Sequence, residues 1–229
     1  MSKAPHSTSA PDQLTIYSKM SAAEIARLDG LSSNRNLDTD AYLIHQHTPA
    51  KHVFMLEEGV LMIERSSATG KRQIMAFVYP GNFIGFTHNE YYEFSVQSLT
   101  KARLTEIPRR AFLDLQEEIP QLKLNVRQIG SNVLAHALDQ VFALGQKKAH
   151  ERVCFLLKQL LERNPDAEEE GKIELVMTRQ DIGDYLGLTI ETVSRAFARL
   201  KKEAIIDIYS AHTVRVLDME QLEDMALAE

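Results

Sequence analysis

Residues 177–200 read MTRQDIGDYLGLTIETVSRAFARL, and this stretch decides the fold of the C-terminal part of the chain. Thr178 can cap a helix, with Asp181 three residues later as the reciprocal acid. Gly187 can end that helix, because a residue without a Cβ adopts the left-handed conformation at little cost. Thr189 can then cap a second helix. Two short helices joined by a tight turn that contains glycine predict a helix-turn-helix.

The second of these helices is predicted to have two chemically different faces. Val193, Phe197 and Leu200 have the spacing of a buried helical stripe. Arginine can donate two hydrogen bonds to guanine, glutamate can accept one from cytosine, and serine can pack on a thymine methyl group. All three residue types occur on the outer face, which carries Glu191, Ser194, Arg195 and Arg199. A solvated helix face is the alternative, but caps, turn, spacing and outer chemistry together favour a helix that lies in the major groove of DNA.

The composition is that of a globular protein. The 229 residues are 44% hydrophobic and 25% charged, which excludes a disordered or collagen-like chain. No apolar run approaches the roughly 18 residues of a membrane helix, so no membrane partner is expected. The net charge of −6 argues mildly against a nucleic-acid binder, but four basic residues oppose one acidic residue between residues 188 and 202. A basic face is therefore predicted on an acidic chain.

Cys154 is the single cysteine, which excludes an internal disulfide, a cysteine zinc site and an iron–sulfur cluster held within one chain. A reducing cytosol fits this usage, and a cytoplasmic location is expected. The apolar neighbours of Cys154 predict a buried, inert thiol, although a redox role stays open. Residues 1–11 contain no apolar signal region, and we interpret residues 1–13 as a flexible leader.

Residues 37–104 predict an all-β region. Short apolar stretches at 41–44, 53–56, 60–63 and 74–78 are separated by turns with glycine or proline, which favours a β-sandwich or barrel. Before them, Ser21 and Glu24 form a capping-box pattern that opens a short helix.

Helical periodicity follows, at residues 111–118 and then without a break from 121 to 146. In the longer helix, apolar residues recur at alternating spacings of four and three, as in a coiled-coil seam. This pattern predicts a dimer interface, and a helix packed on its own domain is the alternative. Gly130 costs about 1 kcal/mol in an isolated helix, and a close helix–helix crossing would explain it. The predicted interface residues are Leu122, Val126, Ile129, Val133, Ala137 and Leu144.

The remaining elements are short. A helix is predicted at 147–163, an acidic exposed turn at 164–171 and a strand at 173–177. A hairpin follows the helix-turn-helix at 205–217.

Nearly the whole chain resembles the CRP/FNR family of bacterial transcription regulators. The motif at 178–195 carries most of the resemblance, and the pattern Glu191-x-x-Ser194-Arg195 is similar to the FNR and FixK branch rather than the cAMP-receptor branch. The resemblance implies an α+β fold. It consists of a β-roll sensor at 14–118 (a jelly roll like that of cyclic-nucleotide-binding domains), a long dimerisation helix at 119–146 and a C-terminal winged helix-turn-helix at 147–229.

The resemblance also implies a function: a regulator, expected to be an activator, that binds an inverted repeat with TTGA-like half-sites as a homodimer. Arg195 is then expected to contact the guanine, Glu191 the opposite-strand base and Ser194 a thymine. The expected partners are double-stranded DNA, RNA polymerase, a second copy of the chain and a small-molecule effector. Phosphate contacts, which position without reading sequence, are expected from Thr178, Arg179, Gln180, Thr189 and Arg199.

The effector stays open. Residues 86–100 contain no arginine and carry Glu90 and Glu93, so cAMP would meet negative charge without a guanidinium. The iron–sulfur cluster of the FNR branch is excluded by the cysteine count. Haem stays open, with His45 and His47 as weak candidates on one strand face, and metal ligands are not otherwise indicated. A ligand-free regulator is equally open, as is a small organic effector lined by aromatic residues: Phe83, Phe86, Tyr91, Tyr92 and Phe94.

Two alternatives lie outside gene regulation. A β-roll that carries Glu57, Glu58, His45 and His47 could form a cupin-like metal-dependent enzyme, but no facial triad, nucleophile elbow or phosphate loop supports it. A cyclic-nucleotide-binding module that does not bind DNA is the other alternative, and the missing arginine argues against it. The chain is therefore expected not to be an enzyme.

Overall fold

The chain divides into two compact units, residues 1–135 and residues 136–229. The structure, a computed structural model, describes residues 14–163 and 171–227. The predicted leader at 1–13 and nearly all of the predicted acidic turn lie outside the described residues. The unit boundary falls inside the long helix predicted for dimerisation, so that segment is divided between the two units and is not a body of its own.

The first unit contains a β-roll, as the turn chemistry and the family resemblance predict. Eight strands form two antiparallel four-stranded sheets, with strand orders β1-β8-β3-β6 and β2-β7-β4-β5. Leu56, Leu61 and Leu104 are fully buried in a core to which both sheets contribute, because alternate side chains of a strand point to the same face. The strands are β1 Ser33–Leu37, β2 Tyr42–Ile44, β3 His52–Glu58, β4 Leu61–Ser66, β5 Arg72–Val78, β6 Phe83–Ile84, β7 Ser95–Ser98 and β8 Ala102–Pro108.

Three helices flank the strands in sequence: α1 Ala22–Gly30, α2 Arg109–Glu118 and α3 Pro120–Gln146. The predicted capping box of α1 is confirmed, because the Ser21 hydroxyl accepts from the Glu24 N–H and the Glu24 carboxylate accepts from the Ser21 N–H. Helix α2 ends at Glu118, as predicted, and α3 begins at Pro120, one residue before the predicted start.

The first half of α3 packs in the core of its own unit. Leu122 is 0% exposed and Val126 7% exposed, and both join Phe112 and Ile107 in one cluster, against which Ile129 also packs. These side chains are covered within one chain, so Leu122 and Val126 do not offer a surface to a second copy. The seam prediction must be corrected for them, because an apolar stripe has the same spacing whether its own domain or a partner covers it.

The second unit is a winged helix-turn-helix. Helix α4 packs against α6 and α7, and the strands form a three-stranded antiparallel sheet of order β10-β11-β9. Strand β9 is shorter than predicted, and α7 was not predicted. The elements are α4 Ala149–Glu162, β9 Lys172–Glu174, α5 Arg179–Leu186, α6 Ile190–Lys202, β10 Ile206–Ser210, β11 Thr213–Val216 and α7 Met219–Leu227.

Among the helices described, none is long and apolar enough to cross a membrane.

Candidate nucleic-acid interface

The predicted caps fix both helices of the helix-turn-helix. The Thr178 hydroxyl accepts from the Asp181 N–H at 3.1 Å, and the Asp181 carboxylate accepts from the Thr178 N–H at 3.0 Å. The Thr189 hydroxyl accepts from the Thr192 N–H at 3.3 Å and caps α6. Because each side chain satisfies a backbone donor that the helix leaves unpaired, both helices start where the sequence predicts.

Two glycines allow the tight turn between the helices, one at the turn and one inside α5. Gly187 ends α5 in the left-handed conformation with φ +63°, as predicted. Gly183 was missed: a Cβ there would lie 2.7 Å from the Leu188 carbonyl oxygen, which the turn folds back onto α5. The Leu188 N–H donates to the Gly183 carbonyl at 2.9 Å. Any side chain at 183 would therefore push α6 away from α5.

The predicted base-reading residues share one exposed face. Glu191, Ser194 and Arg195 are exposed on α6, while Val193 and Phe197 on the opposite side are buried. Hydrogen bonds from its own backbone N–H and from the Thr189 hydroxyl hold the pKa of Glu191 below its usual value. Glu191 is therefore an ionised hydrogen-bond acceptor at neutral pH, and this face presents acceptor and donor groups side by side.

Arg179 was predicted to contact phosphate, but its guanidinium lies against α6, the helix predicted to read the bases and called the recognition helix below. Its central carbon is 3.5 Å from the centroid of the Phe197 ring, a cation–π contact. Burial lowers the pKa of Arg179, and its Nη1 is buried with no hydrogen-bond partner among the described residues. The structure therefore gives Arg179 a packing contact between α5 and α6 that the sequence did not reveal.

Arg199 is also engaged within the chain. Its Nε donates to Glu203 at 2.8 Å, and its Nη1 lies 3.1 Å from Nδ1 of His150 on α4. A guanidinium only donates, so this ring nitrogen must be unprotonated. Burial and the charge of Arg199 lower the pKa of His150, in agreement with that state. Contact of Arg199 with phosphate would use its other donors or replace these partners.

The other predicted phosphate contacts lie at the starts of the two helices. Thr178 and Thr189 are exposed but serve as caps, and Gln180 donates to Asp184 at 2.8 Å. Helix N-termini carry partial positive charge and free N–H groups, which suit phosphate oxygens.

Sequence reasoning missed the tip of the wing. Tyr209 is well exposed on β10, one residue before the end of that strand, and the β10–β11 turn that follows consists of Ala211 and His212. An aromatic residue at the tip of a hairpin that follows a helix-turn-helix is the signal that could have identified it.

An exposed apolar face lies on the second half of α3. Val133 is 61% exposed and Ala137 is also exposed, as the interface prediction requires. Leu144, by contrast, is half-buried, with its Cδ2 3.4 Å from where a Cβ of Gly187 would lie. The prediction did not include the largest exposed side chains of this face, which are Leu134, Leu138, Val141 and Phe142.

The aromatic residues proposed to line an effector pocket do not form one group. Phe83 and Phe86 both pack on Phe112, with ring centroids 5.1 Å and 6.3 Å away. The Tyr92 hydroxyl instead donates to the His52 carbonyl at 2.6 Å. Phe94 packs on the core between the sheets, and Tyr91 is exposed. An open cavity of about 310 Å³ lies elsewhere on the β-roll, lined by Asn36, Leu37, Asp38, Glu58, Lys101, Ala102 and Arg103.

The loop after β6 is held by an arginine from outside it. Arg109 begins α2, and its Nη2 donates to the Thr87 carbonyl at 2.8 Å and to the His88 carbonyl at 3.3 Å. The Arg109 guanidinium therefore already donates to backbone oxygens of this loop, which would have to hold the phosphate if the β-roll bound a cyclic nucleotide.

The histidine pair does not lie on a strand face, and that expectation was wrong. Strand β2 ends at Ile44, and both His45 and His47 follow it. His47 has φ +68°, which breaks the alternation of a strand. His45 stacks on Tyr42, with ring centroids 4.6 Å apart.

The residues of the cupin-like alternative are not brought together either. Glu57 accepts hydrogen bonds from Arg103 and Thr105 on β8, whereas His45 follows the end of β2, a strand of the other sheet. Within residues 14–163 and 171–227, no three His, Cys, Asp or Glu side chains are grouped as metal ligands.

Cys154 is buried at 0% exposure on α4, with its Sγ 3.9 Å from the Met225 sulfur. Burial raises the pKa of this thiol to about 12. A thiolate is the reactive form, so the structure argues against a redox role for Cys154.

Comparison with known proteins agrees with both units. Residues 34–118 match the model of the cyclic nucleotide-binding domain, and residues 151–225 match the Crp-like helix-turn-helix domain. The transcriptional activatory protein AadR of Rhodopseudomonas palustris is 33% identical over 216 residues, which are 94% of this chain and 90% of AadR. The transcriptional activator protein anr of Pseudomonas aeruginosa is 30% identical over 221 residues, 95% of this chain and 87% of anr.

A solved structure has the same fold. FixK2 from Bradyrhizobium japonicum matches with a TM-score of 0.81 and 27% identity, over 86% of this chain and 98% of FixK2. The helix-turn-helix with its exposed, polar second helix, the β-roll and these full-length relatives lead to one conclusion: the chain belongs to the CRP/FNR family of transcription regulators, in its FixK-like branch.

Proposed function

We propose that this protein is a homodimeric transcription activator that binds an inverted repeat with TTGA-like half-sites. The observation that carries the proposal is that Glu191, Ser194 and Arg195 share one exposed face of α6. Both α6 and the preceding helix α5 are capped at their starts. The activating role is inferred from the relatives AadR and anr, which are described as transcriptional activators. RNA polymerase is the partner that an activator requires. Bacterial transcription places the protein in the cytoplasm, with a regulatory rather than an enzymatic role.

The reading of DNA would be divided between two kinds of contact. The Nη2 of Arg195 donates a long hydrogen bond of 3.4 Å to the Thr192 hydroxyl. The guanidinium therefore keeps donors for the O6 and N7 of guanine. Ionised Glu191 accepts from a base amine, and Ser194 packs on a thymine methyl group. Thr178, Gln180 and Thr189 would position the domain through phosphates, and Arg179 and Arg199 would contribute after local rearrangement.

The second copy would bind the exposed apolar face of α3. Contiguous exposed apolar patches mark interaction surfaces in water-soluble proteins. The patch on this face consists of Val133, Leu134, Leu138, Val141 and Phe142. A two-fold axis along this face would place two recognition helices on successive major grooves about 34 Å apart.

Substitution of the base-reading residues tests the proposal. We expect Arg195→Ala to weaken operator binding by about 1–3 kcal/mol, and Glu191→Ala to relax discrimination at one base pair. Lys202→Ala, exposed at the end of the same helix, is the control and should weaken binding to all sequences alike. Fluorescence anisotropy with the inverted repeat and with single-base variants gives both quantities. Unchanged sequence preference in Arg195→Ala and Glu191→Ala would refute the assignment.

Neither cAMP nor an iron–sulfur cluster is proposed as the effector. The loop after β6 has no arginine of its own, and Arg109 is engaged on its carbonyls. Haem or a small organic effector is tested by the absorption spectrum and native mass of the purified protein. A Soret band indicates haem, a small added mass an organic ligand, and a bare dimer that binds DNA indicates control without a ligand.

A further inference from the structure

The last carbonyls of α5 accept hydrogen bonds from outside the helix-turn-helix. The final C=O groups of any helix have no partner within it. The Tyr185 carbonyl accepts from Nε2 of Gln140, on α3, at 2.8 Å. The Leu186 carbonyl accepts from Nη1 of Arg152, on α4, at 3.0 Å. All four residues belong to the second unit.

Arg152 also joins α5 to the end of α3. Its Nε donates to the carbonyl of Lys147, directly after the last residue of α3, at 2.9 Å. One planar guanidinium therefore holds the C-terminal ends of two helices, and its fixed fork geometry sets their mutual orientation. A cation at two helix C-termini is also favoured by both helix dipoles. We call Gln140, Arg152 and their three hydrogen bonds to main-chain carbonyls the carbonyl clamp.

The clamp lies on a different side of α3 from the exposed apolar face. Gln140 and Ala143 are buried, and Gln140 donates to α5, whereas Leu138, Val141 and Phe142 are exposed. One short helical segment thus carries both the proposed dimer contact and the attachment of the helix-turn-helix.

We propose that Gln140 and Arg152 are positioning residues that set the spacing between half-sites that the protein accepts. The inference rests on the proposed function, because it needs two copies on an inverted repeat. The apolar face would fix α3 against its partner, and the clamp fixes α5 and the adjoining recognition helix against α3. The distance between the two recognition helices then follows from these two attachments.

The spacing of half-sites is a sensitive measure of this rigidity. One added base pair moves a half-site by about 3.4 Å and turns it by about 34° around the duplex. A helix-turn-helix held by the clamp cannot follow such a shift, whereas one released from it can.

The experiment measures the affinity of the full chain for three operators with identical half-sites. They carry the preferred spacer and spacers one base pair shorter and longer. We expect the unsubstituted protein to bind the altered operators at least about tenfold more weakly, and Arg152→Met and Gln140→Met to reduce that penalty to about threefold or less. Gln146→Ala, exposed at the end of α3, is the control and should keep the full penalty.

The outcomes separate a positioning role from a structural one. Variants that lose affinity equally on all three operators, or keep the full spacer penalty, overturn the inference. If Arg152→Met fails to fold, Gln140→Met decides, because it keeps the side-chain length and removes one donor. Failure of the proposed function shows separately: the unsubstituted protein would then be a monomer or would bind all operators and scrambled DNA alike.

Discussion

The two halves of helix α3 continue one apolar pattern but are covered in opposite ways. In the first half, Leu122 and Val126 are buried in the core of their own unit. In the second half, Leu138 and Val141 are exposed, Val141 at 67%. The periodicity that predicts a coiled-coil seam is satisfied within the chain in the first half, and in the second half it leaves large apolar side chains exposed.

The difference teaches what an apolar stripe can and cannot indicate. Its spacing reports that one face of the helix will be covered, because exposed stripes of this size are unfavourable in water. It does not report the occupant of that face. Around α3 the occupant is decided by distant sequence, since Phe112 and Ile107 cover Leu122.

The largest expected effect comes from charging the exposed half. Leu138→Glu should give a monomer, because two carboxylates would be buried at the proposed two-fold axis. Affinity for the inverted repeat should fall about a hundredfold or more, since the second half-site no longer binds at high effective concentration. Sedimentation velocity and anisotropy measure the two changes. Leu113→Glu is the control, because Leu113 is also exposed, at 36% on α2, and lies outside the proposed interface. An intact Leu138→Glu dimer would refute that interface.

Truncation in the buried half should act on stability instead. Leu122→Ala leaves a cavity in the core of the first unit and should lower the free energy of unfolding by about 2–5 kcal/mol. The folded fraction should still dimerise. Urea unfolding followed by circular dichroism gives the first quantity and sedimentation the second. A Leu122→Ala variant that is folded but monomeric would contradict the division between the two halves.

A smaller loss is expected where the buried half binds the N-terminal segment. Nδ2 of Asn125 donates to the Ile16 carbonyl at 2.9 Å and to the Ser18 carbonyl at 2.7 Å. Asn125→Ala leaves these acceptors without their donor and should cost about 1–3 kcal/mol in urea unfolding. Asn132→Ala, at an exposed position of the same helix, should change stability little. An Asn125→Ala variant that loses no more stability than Asn132→Ala would show that the two hydrogen bonds of Asn125 do not stabilise the fold.

The smallest effect is expected at Gly130, between the two halves. A Cβ at Gly130 meets no atom of its own chain within 4 Å. In the monomeric Leu138→Glu background, Gly130→Ala should therefore stabilise α3 by up to about 1 kcal/mol. In the dimer it should raise the dissociation constant, because a close crossing of the two helices leaves no room for a methyl group. If the dissociation constant of the Gly130→Ala dimer were unchanged, a close crossing of the two helices would not be the reason for a glycine at this position.

The helix-turn-helix shows how much local chemistry can predict. Thr178, Gly187 and Thr189 act on backbone groups at most three or four residues away, so their roles follow from spacing alone. The bounds of α5 agree with the prediction for the same reason. Arg179 escaped it, because its partner Phe197 lies on the next helix and the contact needs the packed turn.

Contacts between distant segments set the limit elsewhere. Nothing near His150 in sequence indicates that it would meet Arg199, 49 residues later. In the β-roll, turn residues predicted β2 to β5 but did not single out the other four strands. Alternation beyond Ile44 misplaced His47, whose positive φ lies in a turn. Helix α7 was missed because its apolar residues pack on α4, far away in sequence.

The buried sulfur of Cys154 has a practical consequence. A thiol with a pKa near 12 and no exposed surface is protected from maleimide dyes at neutral pH. A cysteine introduced at exposed Tyr209 would then be the one labelled position of each chain. Paired fluorophores on the two wings could follow, one molecule at a time, how far apart the wings stand as the protein arrives on an operator and leaves it.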